Sequence, residues 1–179
     1  TDASLKIEGL TVPSKRHKNN AVKDVSFEVR CGEIVCVAGI DGNGQTELIN
    51  ALTGLEKPSG GKITLGGRDI TKLSVRKRGN AGMSHIPEDR HKYGLILDFS
   101  LQENLVLQRY YEPRFQKLGF IRREAVREYA DELIERFDVR SGQGADTKVR
   151  SMSGGNQQKA IIAREIDRNA DLLVAVQPT

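Results

Sequence analysis

The strongest constraint on the fold is the segment 34–54, which reads IVCVAGIDGNGQTELINALTG. Its apolar run, Ile34 to Ala38, predicts a buried strand, and a helix with one apolar face is predicted to begin around Gly44. The turn between them also contains Gly39 and Gly42. Glycines tolerate positive φ angles and carry no side chain, so the backbone amides of such a turn can point inward at a bound phosphate. The pattern therefore predicts a phosphate-binding turn between a strand and a helix.

This turn matches the phosphate-loop motif G-x-x-x-x-G-K-[ST] at its glycines and at Thr46, but Gln45 occupies the lysine position. The helix adds free N–H groups and its positive end, and Thr46 would place its hydroxyl on a magnesium ion. Gln45 keeps a hydrogen-bond donor but removes a charge beside the phosphates, which lowers the expected affinity on the order of 10- to 100-fold. The Rossmann pattern fails because Glu47 occupies its third small position. A structural turn without a ligand is the alternative.

The size and composition indicate one globular domain. The chain has 179 residues, enough for one domain with a sizeable core. Its apolar runs are far shorter than the roughly 18 residues that a membrane span requires, and its start does not resemble a secretion signal. Cys31 and Cys36 are the two cysteines. They favour reduced, mostly buried thiols in a cytosolic protein over a metal site.

The chain is basic, with a net charge of +4 and basic clusters at residues 14–18, 76–78 and 148–150. We expect these clusters to be solvated loops. The functional alternatives are contact with phosphate or anionic lipid and a nucleic-acid face. Nucleic acid is the weaker of these, because no aromatic residues are interleaved with the clusters.

Hydropathy periodicity changes along the chain. Period-two and continuous apolar patterns predict strands at 4–10, 21–30, 62–65, 82–86 and 172–176. A period of about 3.6 predicts helices at 101–107, 122–137 and 156–168. The order of strands, helices and a final strand indicates an α/β core that carries a helical subdomain.

A second glycine segment, Met152–Gln158 with the sequence MSGGNQQ, opens the last predicted helix. Ser153 can cap this helix, and its glycines allow backbone amides to approach a phosphate closely. As a helix cap this pattern is common. Its position, far downstream of the first glycine turn and just before an apolar strand, makes it specific.

The two glycine motifs and the helical insertion resemble the nucleotide-binding domain of ATP-binding cassette (ABC) transporters over essentially the whole chain. The resemblance implies an α/β P-loop NTPase fold of ABC type, with a RecA-like core, antiparallel β strands and an inserted helical subdomain. Residues 1–179 would form one truncated domain, with 1–88 and 169–179 as the ATP-binding core and 89–168 as the helical, signature-bearing subdomain. The family's D-loop and switch histidine would lie beyond residue 179.

The resemblance also assigns roles to individual residues. The nucleotide-binding loop would comprise Gly39, Asp41, Gly42, Asn43, Gly44, Gln45, Thr46 and Glu47, with Thr46 as the magnesium ligand. The signature, which contacts ATP bound by a partner domain, would comprise Ser153, Gly154, Gly155, Asn156 and Gln157. Glu88 stands where the family has its Q-loop glutamine.

The final strand resembles the Walker B strand, which ends Asp-Glu-Pro-Thr in the family and Val176-Gln177-Pro178-Thr179 here. Val176 replaces the aspartate that holds magnesium through water, and Gln177 replaces the carboxylate that polarises the attacking water. An amide cannot act as a general base near neutral pH. No catalytic residue is therefore intact, and this domain is expected to have little or no hydrolysis of its own.

ABC domains act as head-to-tail pairs, so the resemblance implies a division of labour. This domain would bind ATP and Mg²⁺ weakly in a degenerate site and donate its signature to the competent site of a second ABC domain, expected as the N-terminal half of the same polypeptide. The segments GIDGNGQTEL, HIPEDRHKYGL, MSGGNQQKAIIAREI and VQPT resemble the second ATPase domain of bacterial simple-sugar and nucleoside importers, most closely the nucleoside branch that uses a lipoprotein receptor.

The resemblance implies further partners at the cytoplasmic face of the bacterial plasma membrane. Transmembrane permease subunits would contact residues 89–105, and a substrate-binding lipoprotein would act indirectly. A simple-sugar importer is the first alternative. A soluble ABC ATPase acting on nucleic acid is the second, although such proteins tend to carry long insertions that this chain lacks, so no nucleic-acid partner is expected. A regulatory pseudo-ATPase is the third.

Overall fold

The computed structural model describes residues 3–14, 19–40 and 42–178. The prediction for Asp41 and the basic cluster at residues 15–18 lie outside this part of the chain. The chain divides into two compact units, the first reaching to Ser84 and including Ala170–Val174, the second comprising His85–Asn169 and the residues from Ala175 onward. Each unit has its own apolar core.

The first unit contains four antiparallel strands, β1 (Ala3–Pro13), β2 (Asn20–Arg30), β3 (Gly60–Leu65) and β4 (Arg68–Asp69), and two helices, α1 (Gln45–Thr53) and α2 (Val75–Asn80). The strands form one sheet in the order β2-β1-β3-β4. Apolar side chains of β1 and β3 share one buried core with the apolar face of α1. The core side chains include Leu5, Ile7, Leu10, Val12, Leu48, Leu52, Ile63 and Ile70.

Arg78, on α2, is a core residue of the first unit and only 2% exposed. Its guanidinium donates hydrogen bonds to four backbone carbonyls, those of Ala51 and Leu52 at 2.6 Å each, Thr71 at 2.8 Å and Leu73 at 3.0 Å. Ala51 and Leu52 lie in the last turn of α1, whose carbonyls have no partner within the helix. The expectation that residues 76–78 form a solvated loop is therefore wrong, because these residues lie on α2 and Arg78 exchanges water for these carbonyls. Arg76 and Lys77 are exposed, as expected.

The second unit is mainly helical. Its core lies between three helices, and Ser100 begins the first of them with a reciprocal capping box to Glu103. The helices are α3 (Leu101–Val106), α4 (Arg123–Arg136) and α5 (Gly154–Asp167), with a π-helical turn at Arg90–Gly94, 3-10 turns at Gly144–Asp146 and Val149–Ser151, and a hairpin of β6 (Gln116–Lys117) and β7 (Phe120–Ile121). The buried side chains include Leu101, Leu105, Phe115, Val126, Tyr129, Leu133, Val149 and Ile161.

Two further strands, β5 (Met83–Ile86) and β8 (Leu172–Ala175), pair with each other. Leu172 N donates to Gly82 O and Val176 N donates to Ile86 O, both at 3.0 Å. From the first bond to the second, residue numbers rise by four in each strand, so the two strands run in the same direction and are parallel. The predicted strands at 82–86 and 172–176 are thus confirmed.

The predicted buried strand at Ile34–Ala38 is wrong. This segment has no strand pairing within the part of the chain that the structure describes, and Ile34 is 96% exposed. An apolar run becomes a buried strand only where neighbouring strands cover its edges and faces, and the sheets described above leave it uncovered. Cys31 and Cys36 are exposed as well, so the expectation of buried thiols is also wrong.

The remaining basic cluster at residues 148–150 is in part paired. Lys148 Nζ donates to the carbonyl of Asp98 at 2.8 Å, and the Arg150 guanidinium contacts the Asp98 carboxylate at 2.7 Å. Among the residues described, no helix has the length and apolar character needed to cross a bilayer.

Candidate nucleotide-binding site

The glycine turn leads directly into α1, and its geometry follows from two glycines. Gly42 and Gly44 have φ angles of 87° and 90°, in the left-handed region that glycine adopts without strain. A Cβ on Gly44 would overlap the carbonyl oxygen of Ala21, so this position also needs the missing side chain for close packing on β2. The predicted positive φ angles are confirmed for Gly42 and Gly44, whereas Gly39 is not among the glycines with positive φ.

The first turn of α1 has no side-chain cap. Gly44 occupies the N-cap position and supplies no side-chain hydrogen bond, and the helix starts its own bonding with Leu48 N donating to Gly44 O at 2.9 Å. The amides at the start of a helix have no partner within the helix. Together with the helix dipole, they form an electropositive end that suits an anion such as a phosphate.

Gln45 points back across this turn. The position of a Cβ on Gly39 would overlap Gln45 Nε2, so the amide end of Gln45 lies against the first glycine of the motif. The side chain in the lysine position is therefore folded against the glycine turn. It brings a neutral NH₂ donor there in place of an ammonium group.

The residues present fit ATP phosphates better than they fit magnesium. Backbone amides and the Gln45 amide are suitable donors to phosphate oxygens. Mg²⁺ prefers carboxylate oxygens together with the phosphates and water. Thr46 offers one exposed hydroxyl, whereas Val176 has no donor atom at the position expected to hold a carboxylate. The described residues contain no group of three or more His, Cys, Asp or Glu side chains able to hold a metal ion.

The SGG segment begins α5 as predicted. Ser153 is the N-cap, and its Oγ accepts hydrogen bonds from Asn156 N at 3.5 Å and Asn156 Nδ2 at 2.9 Å. Asn156 Oδ1 in turn accepts from Arg140 N at 2.8 Å. A Cβ on Gly155 would meet nothing within 4 Å. The helix start is therefore fixed by Ser153 and Asn156, and it is open at Gly155.

Gln157 differs from the other signature positions because it is only 5% exposed. Its Nε2 donates to Val149 O at 2.9 Å, and its Oε1 lies 3.0 Å from His91 Nε2. Both the nitrogen and the oxygen of the Gln157 side-chain amide are therefore hydrogen-bonded within the second unit. Gln157 thus holds α5 to the π-helical turn that contains His91.

The segment after β5 is brought next to the signature segment within the second unit. Glu88 is exposed, and Asp89 caps the π-helical turn by accepting from His91 N and Lys92 N at 3.0 Å each. The Arg90 guanidinium would lie 2.8 Å from a Cβ on Gly154. The sequence motifs at Glu88 and Gly154 gave no indication of this contact, because it depends on the packing of the π-helical turn.

Glu165 is a buried residue of α5 that the sequence patterns missed. Its carboxylate accepts hydrogen bonds from Gln108 Nε2 at 2.8 Å and from the backbone N of His85 at 3.3 Å, and it pairs with Arg164 Nε at 3.0 Å. A charged side chain is rarely buried without such partners. Glu165 thereby ties α5 to the strand that leads to Glu88.

His85 makes stability depend on pH. Burial lowers the pKa of His85, against the opposing charge of Glu165, and His85 Nε2 is buried without a hydrogen-bond partner in the described part of the chain. The folded state therefore binds this proton less readily than the unfolded chain. Stability present above the unfolded pKa of about 6.5 is lost as the pH falls below it.

We accordingly expect wild-type protein to lose more stability between pH 7.5 and 5.5 than His85→Gln does. Urea denaturation at the two pH values measures the difference. Equal losses in both proteins would contradict the assignment of this pH dependence to His85.

The end of β8 carries the two substituted positions. The strand ends at Ala175, and the exposed Gln177 follows with a φ angle of 44°. Gln158 Nε2 donates to the carbonyl of Pro178 at 3.2 Å, which fixes the backbone after Gln177 to the start of α5. Val176 and Gln177 have no carboxylate next to them in the sequence, and an amide is not a general base.

Comparison with known proteins gives a consistent result. The family model described as ABC transporter matches residues 22–179. Guanosine import ATP-binding protein NupO of Bacillus subtilis is 51% identical over 175 residues, covering 98% of this chain and 34% of that protein. Nucleoside import ATP-binding protein NupA of Lactococcus lactis is 52% identical over 178 residues, covering 99% of this chain and 35% of that protein. The chain thus spans about a third of the length of these relatives.

A solved structure shows the same fold. The nucleotide-free ATP-binding cassette of an ABC transporter superimposes with a TM-score of 0.77 at 20% identity, covering 99% of this chain and 70% of that one.

Proposed function

The chain belongs to the ABC transporter family, as the sequence predicted, and from that premise we propose that it is an ATP-binding module of a bacterial nucleoside importer. The fold class is likewise confirmed as that of ABC-type ATP-binding cassettes. The nucleoside branch is supported by two relatives that are named for guanosine and nucleoside import and are about half identical to this chain. The motifs GIDGNGQTEL and MSGGNQQKAIIAREI led to the same branch.

The observation that carries ATP binding is the start of α1. Gly42 and Gly44 take positive φ angles, the helix lacks a side-chain cap, and Gln45 lies across the turn beside Gly39. These features present several amide donors to one anion. Because the donors are neutral, we propose that the site binds ATP through hydrogen bonds and the helix dipole alone, and binds it weakly.

We further propose that this site does not hydrolyse ATP at a useful rate. Phosphoryl transfer depends on positioned charge and on a residue that orients the attacking water. Gln45, Val176 and Gln177 are neutral at the three positions where the family carries a lysine, an aspartate and a glutamate. ATP bound with Mg²⁺ would supply the leaving group and the metal, but Val176 and Gln177 add no carboxylate to either.

In this proposal the chain works through a partner. Its signature positions Ser153 and Gly155 begin α5 with an exposed, capped helix start, a geometry that suits a phosphate from outside the chain. We propose that this start completes the competent site of a second ABC domain, expected to precede it in the same polypeptide. The assembled importer would add transmembrane permease subunits and a substrate-binding lipoprotein at the cytoplasmic face of the plasma membrane.

The chain alone is expected to bind MgATP weakly and to release almost no phosphate. Equilibrium titration with a fluorescent ATP analogue measures binding, and a phosphate-release assay over hours measures turnover. A kcat of about 1 s⁻¹ or more, within the range of ordinary enzymes, would contradict the proposal. Absence of ATP binding at millimolar concentration would remove the proposed site.

Uptake by cells that carry the complete transporter tests the solute. Labelled guanosine should accumulate, and accumulation should stop when Ser153→Arg blocks the start of α5. A transporter that accumulates ribose but no nucleoside would contradict the nucleoside assignment.

A further inference from the structure

The hairpin formed by β6 and β7, residues 116–121, carries an exposed apolar tip. Leu118 is 88% exposed, Phe120 80% and Ile121 48%. Lys117 and Phe120 are directly opposed across the two strands, so their side chains leave the hairpin on the same face next to the tip. The second unit leaves this apolar surface in contact with water. Its burial against another apolar surface would therefore be favourable in free energy.

The turn itself departs from the residue types that such turns require. Leu118 and Gly119 form a two-residue loop with φ angles of 53° and 86°. Asn, Asp or Gly is preferred at the first of these positions, because a branched apolar residue is strained at positive φ. No buried contact of the Leu118 side chain offsets this strain, because the side chain is almost fully exposed. Strained positions of this kind concentrate where function requires the side chain.

The hairpin is fixed to the core of its unit. Phe115, immediately before it, is fully buried, and its ring centroid lies 5.0 Å from that of Tyr129. Arg122 N donates to Phe115 O at 2.8 Å, and Gln116 Oε1 accepts from Gly119 N at 3.1 Å. The tip is therefore presented on a defined support.

The charged residues nearest the tip in the sequence are basic. Arg114, Lys117, Arg122 and Arg123 lie between Glu112 and Glu124, which are the first carboxylates on either side. All four are exposed, and Arg114 makes a long ion pair of 3.7 Å with Glu132. A convex apolar tip surrounded by cations is complementary to a surface that is anionic outside and apolar just below, which is the surface of an anionic lipid bilayer.

We propose that the β6–β7 hairpin is a membrane contact, in which Leu118 and Phe120 enter the lipid interface and the surrounding cations bind phosphate headgroups. This inference rests on the proposed function in one respect, that the module works beside a membrane. The hairpin supplies a contact between the ATP-binding module and lipid itself. It limits how the second unit can orient at the bilayer.

A single tryptophan reports directly on this contact, because the chain contains none. Phe120→Trp is titrated with vesicles of phosphatidylcholine alone and of phosphatidylcholine with about 30% phosphatidylglycerol. We expect a blue shift of the emission with the anionic vesicles, reversed by about 0.5 M NaCl because salt screens the headgroup attraction. The matched control is Val75→Trp, at a position 51% exposed in the first unit, whose emission should not shift.

Vesicle sedimentation tests the cations and the tip separately. Lys117→Glu with Arg123→Glu should lower partition into anionic vesicles at least about tenfold, since each cation near the surface contributes. Leu118→Asn with Phe120→Ser should lower partition similarly while leaving the urea midpoint unchanged or raised, because asparagine suits the turn. Lys57→Glu with Arg68→Glu, exposed positions of the first unit, should change partition far less.

Equal partition of the wild type and both hairpin variants would overturn the proposal. The same holds if hairpin variants abolish solute uptake by the complete transporter without changing vesicle partition, since that result would indicate a protein partner. The hairpin variants should bind ATP with the same affinity as the wild type. A chain that fails to bind ATP but binds vesicles through the hairpin would refute the proposed function and leave this contact intact.

Discussion

Replacing Arg78 by methionine is expected to lower the free energy of unfolding by about 3–5 kcal/mol, comparable to breaking a buried polar pair. The guanidinium donates to the carbonyls of Ala51, Leu52, Thr71 and Leu73. Each buried carbonyl left without a donor costs about 1–3 kcal/mol, and methionine supplies none. Such a loss is a large share of the 5–15 kcal/mol that typically stabilises a domain. Urea denaturation followed by circular dichroism measures the change.

Lys77→Met is the matched control for Arg78→Met. Lys77 is the preceding residue of α2 and is exposed, so its replacement should change stability by no more than about 0.5 kcal/mol. Arg78→Lys should lie between the two, because an ammonium keeps the charge but cannot reach carbonyls on several sides. A loss below about 1 kcal/mol for Arg78→Met would show that water replaces the guanidinium at this site.

Replacing Gln45 by lysine is expected to tighten binding of ATP about 10- to 100-fold, since a charge-assisted hydrogen bond contributes roughly 1.5–3 kcal/mol. Gln45 lies across the glycine turn against Gly39, so a lysine there can reach the same side of the loop. Hydrolysis should stay very low, because Val176 and Gln177 still lack carboxylates. Titration with a fluorescent ATP analogue and a phosphate-release assay measure the two effects.

The control for Gln45→Lys is Gln45→Met, which keeps a side chain of similar length without a donor or charge. It should weaken ATP binding relative to wild type, and both variants should unfold at similar urea concentrations. Unchanged affinity in Gln45→Lys would mean that this position does not face the phosphates. A large gain in turnover would mean that the missing carboxylates do not limit the reaction.

The candidate site was predictable from the sequence wherever its chemistry is local. Gly42 and Gly44 had to take positive φ angles, and Ser153 had to cap a helix, because these requirements involve residues within a few positions of one another. The roles assigned to the nucleotide-binding loop, to Glu88 and to the signature residues all stay predictions. The contact between the Arg90 guanidinium and Gly154 was not predictable, since it joins segments more than sixty residues apart.

By itself the sequence determined the helices other than α2, most of the strands, the glycine turn and the family, because periodicity and turn chemistry act over a few residues. Tertiary packing decided which polar groups are buried and which apolar ones are exposed. Arg78 and Glu165 lie in cores because carbonyls and amides 26 to 80 residues away complete their hydrogen bonds. Ile34 and Leu118 are exposed because no element in the described part of the chain covers them. Burial depends on partners that are distant in the sequence, and the hydropathy pattern of a short segment does not predict which partners these are.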